Sequence, residues 1–138
     1  MESIYESIVL YYLTHEGKAF VSPQFSIKAP TGKEWSTPDF LVLDFARREV
    51  QVVEVSVAAN VDGLVHKVEQ RDKQWINFLH KHLADLGQGF EKWPIVVRVF
   101  VRGDSVGRFN ALNTSETPVR AEAIEDMLLR WKWPWGRS

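Results

Sequence analysis

The sequence predicts an α/β fold, a central mixed sheet flanked by helices, with elements in the order helix, three strands, helix, strand and a last helix. Three observations carry this prediction. Residues 38–45 and 50–58 read as adjoining strands that are apolar at nearly every position, the pattern of a sheet covered on both faces. Residues 61–86 keep Val61, Leu64, Val65, Val68, Trp75, Ile76, Leu79, Leu83 and Leu86 on a single helical face. Residues 93–103, running from Trp93 through Ile95, Val96, Val97 and Val99 to Val101, are strongly β-prone. A buried sheet of this kind needs helices packed against it.

Taken in order, residues 2–14 carry Ile4, Tyr5, Ile8, Val9, Tyr12 and Leu13 at three- and four-residue spacing and predict the first helix, with Gly17 at a C-cap-like position. Residues 19–29 predict a strand that Pro23 confines to an edge or a bulge, followed by a turn over Pro30, Thr31, Gly32 and Lys33. The next two strands form a hairpin. A two-residue loop at Arg47 and Arg48 would pair residue i with residue 95 − i, setting Asp39 against Ser56 and Leu41 against Glu54. Gly87 and Gly89 stop the long helix, and the polar stretch from Gly103 to Glu116 predicts a loop. A last helix over about 118–131 is expected, with Thr117 as N-cap and Pro118 at the first helical position. The length suits one domain over 1–138, with a core of about 2–103 and a C-terminal helix and Trp-rich tail at 117–138.

Composition excludes several chemistries. There is no cysteine, so disulfides, thiolate zinc sites, iron–sulfur clusters and cysteine nucleophiles are ruled out, and a cytoplasmic, intracellular location is the expectation. Acidic Glu2 stands where a signal peptide carries base, and no stretch approaches the roughly 20 apolar residues of a membrane span, so no membrane partner is expected. With 17 Lys+Arg against 18 Asp+Glu the net charge is −1, which argues against binding nucleic acid by bulk attraction and leaves only a local groove.

Two carboxylates interrupt the apolar hairpin, Asp39 and Glu54. In the expected register they are diagonal neighbours on one sheet face, about 7–8 Å apart, close enough to hold one hard cation between them. Like charges on a desolvated face are unfavourable unless something positive sits there. Asp72 also falls within an apolar stripe, where a buried pair with an arginine is expected.

Pro38-Asp39, fourteen intervening residues and then Glu54-Val55-Ser56 resembles the PD-(D/E)XK nuclease superfamily, the fold of many restriction endonucleases, and the αβββαβ element order over about residues 2–103 is similar to that superfamily's core. The resemblance implies a metal-dependent nuclease acting on DNA, with Mg²⁺ (or Mn²⁺) held by Asp39, Glu54 and the carbonyl of Val55, and with direct attack of activated water on the phosphodiester. It also implies Glu6 of the first helix as a further acid. One departure stands out: the family's lysine would fall at Ser56. Some members carry the equivalent cation on the following helix, where Lys67, Gln70, Arg71 and Gln74 form a polar band, and Lys67 is the nearest to Glu54. Contacts to DNA are expected from Lys67, Gln70, Arg71 and Lys73 with Lys33 in the preceding turn. So short a chain would read DNA structure or ends, act as a homodimer, or rely on a larger complex for target recognition; a phage or mobile element is a compatible source. The alternative is a catalytically inactive nuclease-fold module that binds nucleic acid or protein.

Overall fold

A computed structural model of the chain describes residues 4–15, 18–28, 31 and 34–130. Gly17, most of the turn before Glu34 and the tryptophans of the tail lie outside the described residues. Helix α1 (Ile4–His15) is followed by β1 (Ala19–Pro23), β2 (Ile27–Lys28), β3 (Glu34–Ser36), β4 (Phe40–Asp44), β5 (Glu49–Val55), α2 (Asp62–Asp85), β6 (Ile95–Val101), α3 (Val106–Leu112), β7 (Val119–Ala123) and α4 (Ile124–Arg130). The main sheet has the order β1-β4-β5-β6-β7, antiparallel as far as β5 and parallel from β5 to β7. The predicted class is therefore the observed one: a mixed sheet with helices on both faces.

Pro23 closes β1 at the sheet edge, where its missing N–H costs no ladder bond. Gln24 then takes a left-handed φ of 52° and donates its N–H to the Asp39 carbonyl at 2.9 Å, so the expected strand over 19–29 breaks in two. Its second part, β2, pairs with β3 in a separate two-stranded sheet against α2, and Ile27 is fully buried there.

One face of the main sheet packs Leu41, Val50, Val52, Ile95, Val97, Val99 and Val101 against Val61, Val65, Val68, Leu79 and Leu83 of α2 and Phe109 of α3. The other packs Phe40, Val42, Val53 and Phe100 against Val9 and Leu13 of α1 and Ile124 and Met127 of α4. Burial on both sides is what the mostly apolar β4 and β5 require. Among the described residues, no helix is long and apolar enough to cross a membrane.

Two expectations for the C-terminal third need correction. The stretch after Gly103 holds α3, which buries Phe109 on the sheet; with few apolar residues it shows little helical periodicity. The expected helix over 118–131 opens instead as β7. Val97 donates its N–H to the Pro118 carbonyl at 2.9 Å, and the Thr117 N–H and hydroxyl and the Glu116 N–H donate to Asp72 rather than capping a helix. Asp72 thus ties α2 to the entry of β7.

Strand β7 has a charged sequence because its partners are charged. Buried Arg98 donates Nε to Glu122 Oε2 at 2.7 Å, Nη2 to Glu122 Oε1 at 3.0 Å and Nη1 to Gln51 Oε1 at 3.0 Å. Gln51, also fully buried, donates to Asp44 Oδ2 and Glu49 Oε1, and Arg120 pairs with Glu49. The result is a polar ladder crossing β4 to β7. Arg98 is thus enclosed, while Arg102 and Arg108 are exposed and paired with Asp104 and Asp62. Arg98→Leu should destabilise the fold by about 3 kcal/mol, because it leaves Glu122 and Gln51 without their partner. Adding Glu122→Leu should recover part of that loss. Urea unfolding of both variants checks this, and a single variant within 1 kcal/mol of wild type would contradict it.

Candidate functional site

The hairpin register brings the two acids closer than the sequence suggested. Strands β4 and β5 pair Phe40 with Val53, Leu41 with Val52 and Asp44 with Glu49, around a four-residue loop, Phe45–Arg48, rather than a two-residue one. The loop is set by Asp44, whose Oδ1 accepts from the N–H groups of Ala46 and Arg47 at 3.0 Å each, and by Arg48 at φ 53°. Each partner therefore moves two places along β5. An even shift keeps every side chain on its face, so Asp39 and Glu54 still share one; continued by one residue, the register puts them opposite each other rather than diagonal. Directly opposed Cβ atoms lie about 4.5–5.5 Å apart.

Asp39 is fixed by the strand end it adjoins: its Oδ2 accepts the Val55 N–H at 2.8 Å. Its pKa is raised from 3.8 to about 6, first by burial and then by the charge of Glu54, against the pull of the Val55 N–H. Glu6, from the first turn of α1, adds to the rise, and the protonated Asp39 shares a hydrogen bond with Glu54. Glu54 and Glu6 thus both bear on Asp39 at one end of the sheet.

Glu54 is 3% exposed and is balanced from α2. Arg71 Nη2 donates to Glu54 Oε1 at 2.6 Å, and Lys67 Nζ lies 3.2 Å from Glu54 Oε2. Residues four apart on a helix share a face, which is why one carboxylate meets both cations, and Trp75, a further turn on, stacks beneath the Arg71 guanidinium at 5.3 Å. The two cations differ in access: the Lys67 side chain is 43% exposed, whereas Arg71 is completely buried.

The residues expected to touch DNA are accordingly divided. Lys67 stands at the acid pair with its side chain partly exposed, and Gln70 is exposed on α2 nearby. Arg71 is a correction: burial against Glu54 withholds its guanidinium from any phosphate. Lys33 and the side chain of Lys73 lie outside the described residues. Ser56 bonds locally, accepting from the Ala58 N–H, while its own N–H joins the ladder to Phe100. The sequence missed Arg71 as the partner of Glu54, although its place four residues after Lys67 was the available signal.

Two adjoining carboxylates, Asp39 protonated at mild acidity and Glu54 paired with Arg71 and Lys67, set hard oxygen donors side by side. Among the described residues no group of three or more His, Cys, Asp or Glu side chains converges as a ligand cage. The donor set still fits a small hard cation such as Mg²⁺, which is usually held by one or two carboxylates and keeps several waters. No protein-family model matches this chain, and no curated protein matches it.

The raised pKa of Asp39 has a consequence for stability. Between pH 3.8 and about 6 the folded chain holds a proton that the unfolded chain has lost, so stability falls as pH rises through that window. Asp39→Asn keeps an oxygen to accept the Val55 N–H and removes the buried charge. It should be more stable than wild type at pH 8 by about 1 kcal/mol, a two-unit shift discounted for partial exposure, and closely matched at pH 4. Urea unfolding at the two pH values tests this; a gain that is the same at both would count against it.

Proposed function

We propose that this protein is a metal-dependent nuclease of the PD-(D/E)XK type that hydrolyses DNA phosphodiester bonds. The observation that supports the reading best is Lys67, whose partly exposed side chain sets its ammonium 3.2 Å from the carboxylate that opposes Asp39. A cation at that point supplies from α2 what Ser56 cannot supply from β5, and the chemistry requires only that positive charge stand near the attacking water and the phosphate.

In this reading Asp39, Glu54 and the Val55 carbonyl hold Mg²⁺ or Mn²⁺, with Glu6 as a further acid at the rim. Bound there, the ion supplies Lewis acidity toward a phosphate oxygen and lowers the pKa of water. The remaining work belongs to the side chains. Asp39 sheds the proton that it carries below about pH 6 before it can bind a cation. Arg71 acts as a positioning residue, orienting Glu54 so that its second oxygen faces Lys67. Lys67 turns from Glu54 toward the phosphate and offsets the charge that develops as water oxygen bonds to phosphorus and the ester P–O bond breaks. Target choice would come from DNA structure, a second copy of the chain or a partner assembly. The rival reading, an inactive module on the same scaffold, is favoured by Ser56 alone.

Asp39→Asn and Glu54→Gln should each abolish Mn²⁺ binding in calorimetric titration while leaving the circular dichroism spectrum folded. Lys67→Ala should retain metal binding yet lower cleavage of DNA by on the order of 10²–10³-fold, the loss expected for one preorganised electrostatic donor. Unchanged Mn²⁺ affinity in both acid variants, or no Mg²⁺- or Mn²⁺-dependent cleavage of any plasmid, linear, single-stranded or branched DNA, would overturn the reading.

A further inference from the structure

At the end of the sheet that carries the acid pair, on the side of α1 and α4, lies a hollow of about 440 Å³ lined by Tyr5, Val57, Arg102, Ile124 and Glu125. It opens where β5 and β6 end, between the start of α1 and the start of α4. The crevice outside the carboxyl ends of parallel strands is the usual ligand position in open α/β sheets. Two chain connections tie it to the site. Tyr5 precedes Glu6, whose charge reaches Asp39, and Val57 follows Glu54 by three residues. Tyr5 is 41% exposed and Val57 38% exposed, so an aromatic ring and an aliphatic group stand open on the wall, above buried Ile124.

The charges of the hollow select its occupant. Arg102 is paired with Asp104 at 2.7 Å, and both oxygens of Glu125 accept the Gly103 N–H at 2.9 and 3.1 Å. One cation and one anion line the wall, each already engaged, so a phosphate finds no net attraction there. A flat, uncharged, polar-edged ring does: it can stack on Tyr5, lie on Val57 and donate an exocyclic amine to the remaining lone pairs of Glu125. The volume falls within the ~300–1,000 Å³ of small-molecule pockets. A base inside a duplex cannot enter such a hollow without leaving its stack.

We infer that this hollow receives an unpaired base of the strand whose phosphate lies at Asp39, Glu54 and Lys67, so that the substrate is single-stranded DNA or an unpaired nucleotide at a flap, gap or end. The inference rests on the nuclease reading for its phosphate and is tested apart from it. Binding of fluorescein-labelled 12-nucleotide DNA to the full chain is measured by anisotropy in EDTA at fixed salt, as single strand, as duplex, and as single strands with one abasic nucleotide moved through the sequence. Wild type should prefer the single strand to the duplex. Tyr5→Ala should lose affinity for the single strand by about tenfold, the usual effect of removing one aromatic platform, while Tyr5→Phe keeps it. One abasic position should reproduce the loss in wild type and add nothing to it in Tyr5→Ala. Cleavage of the same DNAs with Mg²⁺ or Mn²⁺ is scored separately. Tyr5-dependent binding without cleavage of any DNA upholds the base pocket and fails the nuclease reading. Equal affinity for single strand and duplex, or single-strand affinity unmoved by Tyr5→Ala and by every abasic position, overturns the base pocket even if cleavage is observed.

Discussion

A carboxylate in the middle of a sheet is the constraint around which this fold is arranged. Glu54 sits on β5, between β4 and β6, where an uncompensated charge would cost several kcal/mol. Its compensation comes from another layer: Arg71 and Lys67 reach it from α2, and Arg71 gives up all contact with water to do so. Sliding α2 along the sheet by one turn, about 5.4 Å, would take both cations away from the carboxylate. The apolar stripe of α2 is tolerant of small shifts, since aliphatic packing has little directionality; the ion pairs are not. The helix therefore docks in one position, and that position sets the ammonium of a half-buried lysine at the acid pair.

The two faces of the sheet handle polarity differently. On the face toward α1 the ladder from Asp44 through Gln51 and Arg98 to Glu122 is closed, with charges and amides matched across four strands. It joins β7, whose apolar content alone is modest, to the apolar strands β4, β5 and β6. On the face toward α2 the balance is deliberately incomplete at one end. Asp39 is opposed by Glu54, leans on a single main-chain N–H and ionises late, while the Lys67 cation is shared with solvent. A closed network serves stability; an unsaturated one, at the end of the sheet where β5 and β6 finish, leaves bonding capacity for something that arrives from outside.

That location also joins the acid pair to the hollow beside Tyr5. The N-terminal turn of α1 contributes to both, through Glu6 on one side and Tyr5 on the other, and the chain leaving β5 passes from Glu54 to Val57 along the same rim.

What the sequence by itself determined was burial and kind. Runs of Val, Leu, Ile and Phe in β4, β5 and β6 have to be covered on both faces, and the stripe on α2 has to lie against them, so the α/β class and the long helix follow from side-chain hydrophobicity alone. The exceptional acids, Asp39 and Glu54, were legible for the same reason: each stands where a neighbourhood of Val, Leu and Phe makes a charge conspicuous. Glu6 and Lys67 came from the likeness to a known pattern, and the structure puts both within electrostatic reach of the pair. Only the tertiary structure decided register and partnership. The turn at Phe45–Arg48 moved the acids from diagonal to opposite, because loop length depends on a side chain, Asp44, folding onto its own backbone. Strand β7 is short and charged and takes its form from hydrogen bonds to Arg98 and Glu49, with Asp72 holding its entry, while the short helix α3 is set by burial of Phe109 on the sheet; all these partners are far away in the chain. Arg71 shows the limit most plainly. Periodicity placed it on a helix face beside Lys67, but whether that face meets water or a buried carboxylate is a property of the packed layers, and no local pattern encodes it.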